Sequence, residues 1–207
     1  MARTATSFKR GAPLSAPQPT VLIICEDSKS GKNYIEDAAH HFRVIVTVEI
    51  IHVGKTDPKG IIEEAIKRKT KYDRIFCVFD RDSHENWELA LGMTRDHKQI
   101  SLIISYPCFE YWLILHFNCN RKPYDRQGSK SPGDCCVADL RQITSMANYD
   151  KGGGTAVFAN LIDRLPQARK NSLIVYNQAK IDGEMNPSTE FHTLIDYFEE
   201  LEAELLA

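Results

Sequence analysis

No apolar run in this 207-residue chain approaches the roughly 20 residues needed to cross a bilayer, and the N-terminus has no signal-peptide hydrophobic region. A helical membrane protein is excluded, and a soluble, cytoplasmic one is expected. An excess of positive charge is also missing: 26 Lys and Arg face 28 Asp and Glu, for a formal net charge of −2. Coating of nucleic acid through bulk charge is thereby excluded, and any such partner must be met by a local basic strip. There is no CxxC pair among the six cysteines, and adjacent Cys135 and Cys136 lack a second Cys or His pair at zinc-finger spacing. Cys25 and Cys77 sit inside strand-like apolar runs, where a thiol behaves as a small hydrophobe. A structural zinc finger is not expected, and the compartment reads as reducing. The loop from Glu26 to Asn33 has no P-loop, because Glu26 stands where the opening Gly belongs and Asn33 where the magnesium-binding Ser or Thr belongs. That removes an ATPase from consideration.

What is present is an alternation of short apolar runs with helical periods, the pattern of a βαβ series and a mostly parallel sheet. The strands expected are Val21 to Cys25, Val44 to Val53, Arg74 to Phe79 and Ile100 to Ser105. Helices are expected between them at Lys32 to His41, at Lys59 to Lys69 behind Pro58, and at His84 to His97. Cys108 to Phe117 is too apolar on all sides for a surface helix and reads as a buried one beneath the acidic edge. Asn118 to Asp134 is loop-like, Val137 to Met146 and Ala156 to Arg169 read as helices, and Leu173 to Tyr176 reads as a last strand. Ser188 then opens a final helix as a capping residue, with Phe191, Leu194, Ile195 and Phe198 on its apolar stripe. The fold class is therefore α/β, Rossmann-like, with a helical C-terminal extension. The organisation expected is a mobile basic tail over 1–20, carrying Arg3, Lys9 and Arg10, then a core over 21–118 and the extension over 119–207.

Two acidic signals end two of these strands: Glu26 after Val21 to Cys25, and Asp80-Arg81-Asp82 after Arg74 to Phe79. On neighbouring parallel strands the carboxyl ends open on one edge, so three carboxylates converge. While the chain is extended, Asp80 and Asp82 point to one side, and carboxylate-only ligation with room for water suits Mg²⁺ or Mn²⁺. A turn with two solvated Asp residues is the plainer alternative for this pair taken alone. Glu26 is either a metal ligand or a general acid or base whose acidic neighbours raise its pKa. Lys29 and Lys32 stand at the start of the next helix, where they either meet phosphate or lie solvated. Lys151, followed by Gly152, Gly153 and Gly154, is a phosphate cradle or part of a flexible linker. His84 either protonates a leaving oxygen or simply begins a helix. Glu110 in the apolar block needs a partner and is expected to orient a ligand or a basic residue near the metal, while His116, six residues on and off its helix face, reads as a satisfied core histidine.

Several of these segments resemble a known family. Ser7-Phe8-Lys9-Arg10 in the tail, Val21 to Glu26 leading to Asn33-Tyr34, Phe79-Asp80-Arg81-Asp82-Ser83-His84, and Ser105-Tyr106-Pro107-Cys108-Phe109-Glu110-Tyr111-Trp112 running on to His116-Phe117 are similar to the RloB family of Toprim-like proteins. The last block is the most specific. The resemblance spans most of the chain and implies a Toprim fold in a prokaryotic antiphage-defence setting with abortive-infection behaviour. It carries the family's glutamate onto Glu26 and its aspartates onto Asp80 and Asp82. One departure is plain: relatives read Cys-Glu-Gly-Glu-Lys-Thr-Glu in the first loop, and two of those acids are replaced here by Ser28 and Gly31, with Asp27 as a substitute for one.

The activity implied is a Mg²⁺- or Mn²⁺-dependent nuclease cleaving phosphodiester bonds in RNA, transfer RNA by analogy, or in DNA. The alternative is a non-enzymatic Toprim-like subunit that binds nucleic acid or senses a phage product and acts through a partner, such as an ATPase encoded nearby. The lost loop acids favour that alternative. A phosphoryl-transfer enzyme on a small nucleotide is a third reading. A homodimer is compatible with the chain and would show itself in surface apolar patches.

Overall fold

A computed structural model describes residues 18–55, 57–81, 87–152 and 156–206. Five strands form one sheet: β1 (Val21–Cys25), β2 (Val48–His52), β3 (Arg74–Asp80), β4 (Ile100–Tyr106) and β5 (Ser188–Thr189). Their order is β2-β1-β3-β4-β5, with the first four parallel and β5 antiparallel to β4. The chain is thus α/β with a mostly parallel sheet, as its alternating runs lead one to expect. Strand side chains alternate between faces. Val21, Ile23, Phe76, Val78 and Ile103 enter one apolar core, and Leu22, Ile24, Ile75, Cys77 and Ile100 enter the other.

Helices cover both faces. The first core is roofed by α1 (Ser30–His41), α4 (Glu110–Ile114), α5 (Pro132–Arg141), α6 (Val157–Leu161), α7 (Leu165–Asp182) and α8 (Phe191–Leu206). The second lies beneath α2 (Pro58–Arg68) and α3 (Trp87–Met93). Local signals explain where these elements start. Asp57 caps α2 by accepting the Gly60 N–H at 2.7 Å, with Pro58 in the first turn, and Ser131 and Asp134 form a reciprocal capping box on α5. The whole of α4 is buried, as the apolar composition of Cys108 to Phe117 demands.

Several boundaries differ from the sequence expectation, among them α5, which starts at Pro132 inside the segment read as a loop and ends at Arg141, and α3, which ends at Met93 short of His97. Leu173 to Tyr176 lies inside α7 and is no strand. Its β-branched look misleads because the buried stripe is Ala168, Ser172, Val175 and Ala179, spaced four, three and four, while Leu173 and Ile174 face solvent. Ser188 belongs to β5, and α8 begins only at Phe191, whose N–H is taken by the Thr189 hydroxyl at 3.2 Å. The apolar stripe of α8 is nonetheless the expected one, with Phe191, Leu194, Ile195 and Phe198 all fully buried. The Ala156 to Arg169 segment is two helices separated by a 3₁₀ turn at Ile162–Arg164, and Pro166, which lacks an N–H, sits in the first turn of α7. Finally, β2 starts at Val48, because Arg43 takes a φ of +57° and a turn closes from Thr47 to Val44. The tail through residue 17 and the start of the His84 to His97 helix lie outside the described residues.

Candidate functional site

The chain leaves β1 toward β2 on one side and later returns to place β3 on the other. In open α/β sheets the crevice at such a reversal, beyond the carboxyl ends of the strands, is where ligands bind. Glu26 follows β1 and Asp80 ends β3, so both stand at this crevice. They are joined directly. The Glu26 N–H donates to the Val78 carbonyl at 2.9 Å, and the Glu26 Oε2 accepts the Asp80 N–H at 2.8 Å. Asp80 Oδ1 in turn accepts the Phe109 N–H at 2.8 Å, which fastens the end of β3 to the entry of α4.

Acidic charge accumulates here. Burial first, then the carboxylates of Glu110 and Glu26, push the Asp80 carboxyl well above the usual carboxylate range, against the pull of Lys151. Glu110, the first residue of α4, is fully buried. Its Oε1 accepts the Tyr149 hydroxyl at 3.0 Å, while Oε2 has no hydrogen-bond partner among the described residues and lies 3.7 Å from the Lys151 ammonium. Burial by itself would lower the Lys151 pKa, but Glu110, Cys108, Asp80 and Asp27 raise it to about 12. The partner that a buried Glu110 requires is therefore a basic residue at the acidic edge.

Asp27 serves the loop itself. Its Oδ1 accepts the N–H groups of Lys29 at 3.0 Å and Lys32 at 3.4 Å, and its Oδ2 accepts that of Gly31 at 3.0 Å. Lys32 pairs with Glu36 one turn along α1 and lines the cleft. The Lys29 stem rests on Gly152, whose φ is +84° and where a Cβ would come within 2.8 Å of the Lys29 Cδ. Only glycine fits that position. Glu26, Asp27, Lys32, Asp80 and Lys151 share the walls of one open cleft of about 210 Å³ with Phe109.

The remaining expectations divide. Asp82, His84, Gly153 and Gly154 lie outside the described residues. Among the described residues no three His, Cys, Asp or Glu side chains group as a metal site, and the carboxylates that stand together at the edge are Glu26 and Asp80. His116 is 1% exposed, with Nδ1 at 3.0 Å from the Trp112 carbonyl and Nε2 at 3.2 Å from the Tyr34 hydroxyl, the satisfied core histidine anticipated from its setting. Sequence reasoning missed Tyr149 and the loop-closing role of Asp27. The Tyr149-Asp150-Lys151 sequence holds no signal that an aromatic hydroxyl will cross to α4, whereas an Asp three residues before a helix is a readable capping cue.

The sequence matches the family model of RloB, described as RloB-like protein, over residues 21–198. The chain belongs to the RloB-like family. No curated protein and no solved structure matches it. Membership fits a defence-associated protein. The matched span of this RloB-like chain contains every described residue of the cleft, from Glu26 to Lys151. The donor set suits a divalent cation: hard carboxylate oxygens, one of them on a desolvated acid whose neighbours make its charge costly.

Proposed function

We propose that this RloB-like protein is a metal-dependent nuclease that cleaves phosphodiester bonds in RNA, or in DNA, as part of antiphage defence. The observation that carries the reading is the direct coupling of Glu26 to Asp80 at the sheet's reversal, with Lys151 held beside them by Glu110. Glu26, Asp80 and Asp82 would hold Mg²⁺ or Mn²⁺. When bound, the cation supplies polarisation of the phosphate and neutralises charge on the attacking and leaving oxygens. The chain's own groups do the rest. Lys151 and Lys32 present cations in the cleft for phosphate oxygens, and Lys29, which packs on Gly152 beside Lys151, adds a further one. Glu110 orients Lys151 and, through Tyr149, the loop that carries it. Where Glu26 does not ligate the metal, its carboxylate would take the proton of an attacking water, and His84 would be the donor to the leaving oxygen.

A second reading has an observation of its own. Asp27 is engaged by three backbone N–H groups, so it closes the first loop and does not replace the acids lost at Ser28 and Gly31. A Toprim-like subunit that binds nucleic acid or a phage product and acts through a partner ATPase would need no full metal set. One experiment separates the two. Purified protein is incubated with total transfer RNA, single-stranded RNA and plasmid DNA in Mg²⁺, Mn²⁺ or EDTA, beside Asp80→Ala. Discrete cleavage lost in EDTA and in the variant supports the nuclease. Binding without cleavage in any metal moves the assignment to the sensing subunit.

A further inference from the structure

Alternation along β3 sends Asp80 to one face of the sheet and Arg81, one residue on, to the other. Arg81 donates its N–H to the Ser105 carbonyl at 2.7 Å, which sets it beside Tyr106 at the end of β4. Its guanidinium lies over two rings, 5.6 Å from the centre of Trp87 and 5.5 Å from that of Tyr106. Below this group runs a second cleft of about 410 Å³. Among the described residues β5 pairs only with Ser105 and Tyr106, so the side of β4 at Leu102 and Ile104 has no strand beside it. The walls are mostly apolar, from Leu91 of α3 to the Tyr176 ring of α7, and among the described residues one acidic group lines them. That group is Glu190, whose Oε1 accepts the Tyr176 hydroxyl at 2.6 Å and whose Oε2 accepts the Ile104 N–H at 3.3 Å.

We propose that this cleft seats one unstacked base of a single-stranded polynucleotide whose neighbouring phosphate reaches the Glu26–Asp80 edge. The proposal rests on the nuclease reading of that edge and adds the substrate class. Three features select a base. The Arg81 guanidinium already lies over two aromatic rings, which marks the cleft as a place where flat π-systems gather. The volume falls in the range of small-molecule sites, which pair apolar walls with a few placed polar groups, and Glu190 is an acceptor for the amino N–H groups that adenine, guanine and cytosine carry. Arg81, which lines this cleft, follows Asp80 directly in the chain, so the cleft opens next to the acidic edge though on the other face of the sheet. A paired base must first be unstacked and unpaired, at a cost of about a few kcal/mol, before it can enter.

The test measures binding in Ca²⁺ without turnover, using fluorescein-labelled oligoribonucleotide and oligodeoxyribonucleotide single strands and the matching blunt duplexes with the full chain. Single strands are expected to bind about tenfold tighter than duplexes, the scale of one base stack. Arg81→Ala, which removes the stacking plane, and Met185→Trp, which fills the cleft from a loop, are each expected to erase that preference while duplex affinity and thermal midpoint stay near wild type. The RNA and DNA arms report which sugar is accepted. Equal binding of single strand and duplex by wild type, no binding of either, or a preference that survives both substitutions overturns the proposal. Cleavage assays on Asp80→Ala are scored separately, so a failed nuclease reading with an intact single-strand preference leaves the cleft assignment standing.

Discussion

At the scale of single residues, the acidic edge trades stability for charge. Asp80 is a carboxylate whose ionised form is opposed by burial and by Glu110 and Glu26. A neutral isostere keeps the acceptor for the Phe109 N–H and removes the repulsion. Asp80→Asn is therefore expected to raise stability in EDTA by roughly 1 kcal/mol or more, read from the thermal midpoint, while abolishing metal-dependent cleavage. A lower midpoint would sink the repulsion argument. His116 makes the opposite case, a group kept neutral by its surroundings. Burial lowers its pKa from 6.5 to about 4, and both ring nitrogens are already engaged. Because the folded value lies below the unfolded one, the unfolded chain binds the extra proton between those values, and stability present above pH 6.5 is lost as pH falls toward 4. Denaturant titrations are expected to show wild type losing roughly 2 kcal/mol more than His116→Gln between about pH 6.5 and 4.5. Parallel pH curves for the two proteins would refute it. Residue identity made Glu26 and Asp80 legible in the sequence, because an acid closing a buried strand has few structural uses. The Lys151 and Tyr149 partners of Glu110 were not legible, since nothing local encodes a contact across 39 or more positions.

Among elements, legibility followed burial on both faces. β1 and β3 are continuous apolar runs buried along nearly their whole length, and their ends agree with the sequence to within a residue, as strands covered on both sides require; those of the partly covered β4 agree as well. The long α7 was hidden because a hydrophobic cluster at Leu173 to Tyr176 outweighed its sparse buried stripe of small residues. The two-residue β5 was hidden for another reason: its role depends on one residue whose side chain and carbonyl together reach three elements. Thr189 is fully buried, its hydroxyl lies 2.8 Å from that of Ser105 and accepts the Phe191 N–H, and its carbonyl accepts the Ser172 hydroxyl at 3.0 Å. It thereby ties β4, α7 and α8 together. Thr189→Val keeps the shape, strands the buried Ser105 hydroxyl and uncaps the Phe191 N–H. A loss of about 1 to 3 kcal/mol is expected in urea unfolding. Thr189→Ser, which keeps the hydroxyl, is expected to recover most of it, and equal losses in the two variants would mean that shape alone matters.

For the whole molecule, the carboxyl edge is where the sheet's two cores meet, since β1 and β3 feed side chains to both and end at Glu26 and Asp80. A cation held there would cross-link the edge in the folded state alone, so the metal reading makes a thermodynamic claim independent of catalysis. At a free Mg²⁺ concentration a hundred times the dissociation constant, linkage adds about 2.7 kcal/mol, a rise of several degrees in the midpoint of a chain this size. Asp80→Asn starts from a higher midpoint in EDTA and lacks the anionic ligand, so its curve is expected to stay flat as Mg²⁺ or Mn²⁺ is added. Wild type and variant should therefore cross. The crossing is diagnostic because nonspecific screening of the acidic edge by salt would lift both proteins in proportion to charge and would do so equally with Na⁺ at matched ionic strength. Identical rises in the two proteins, or a rise that Na⁺ reproduces, would remove the cation from this edge and leave the sensing subunit as the better account of the fold.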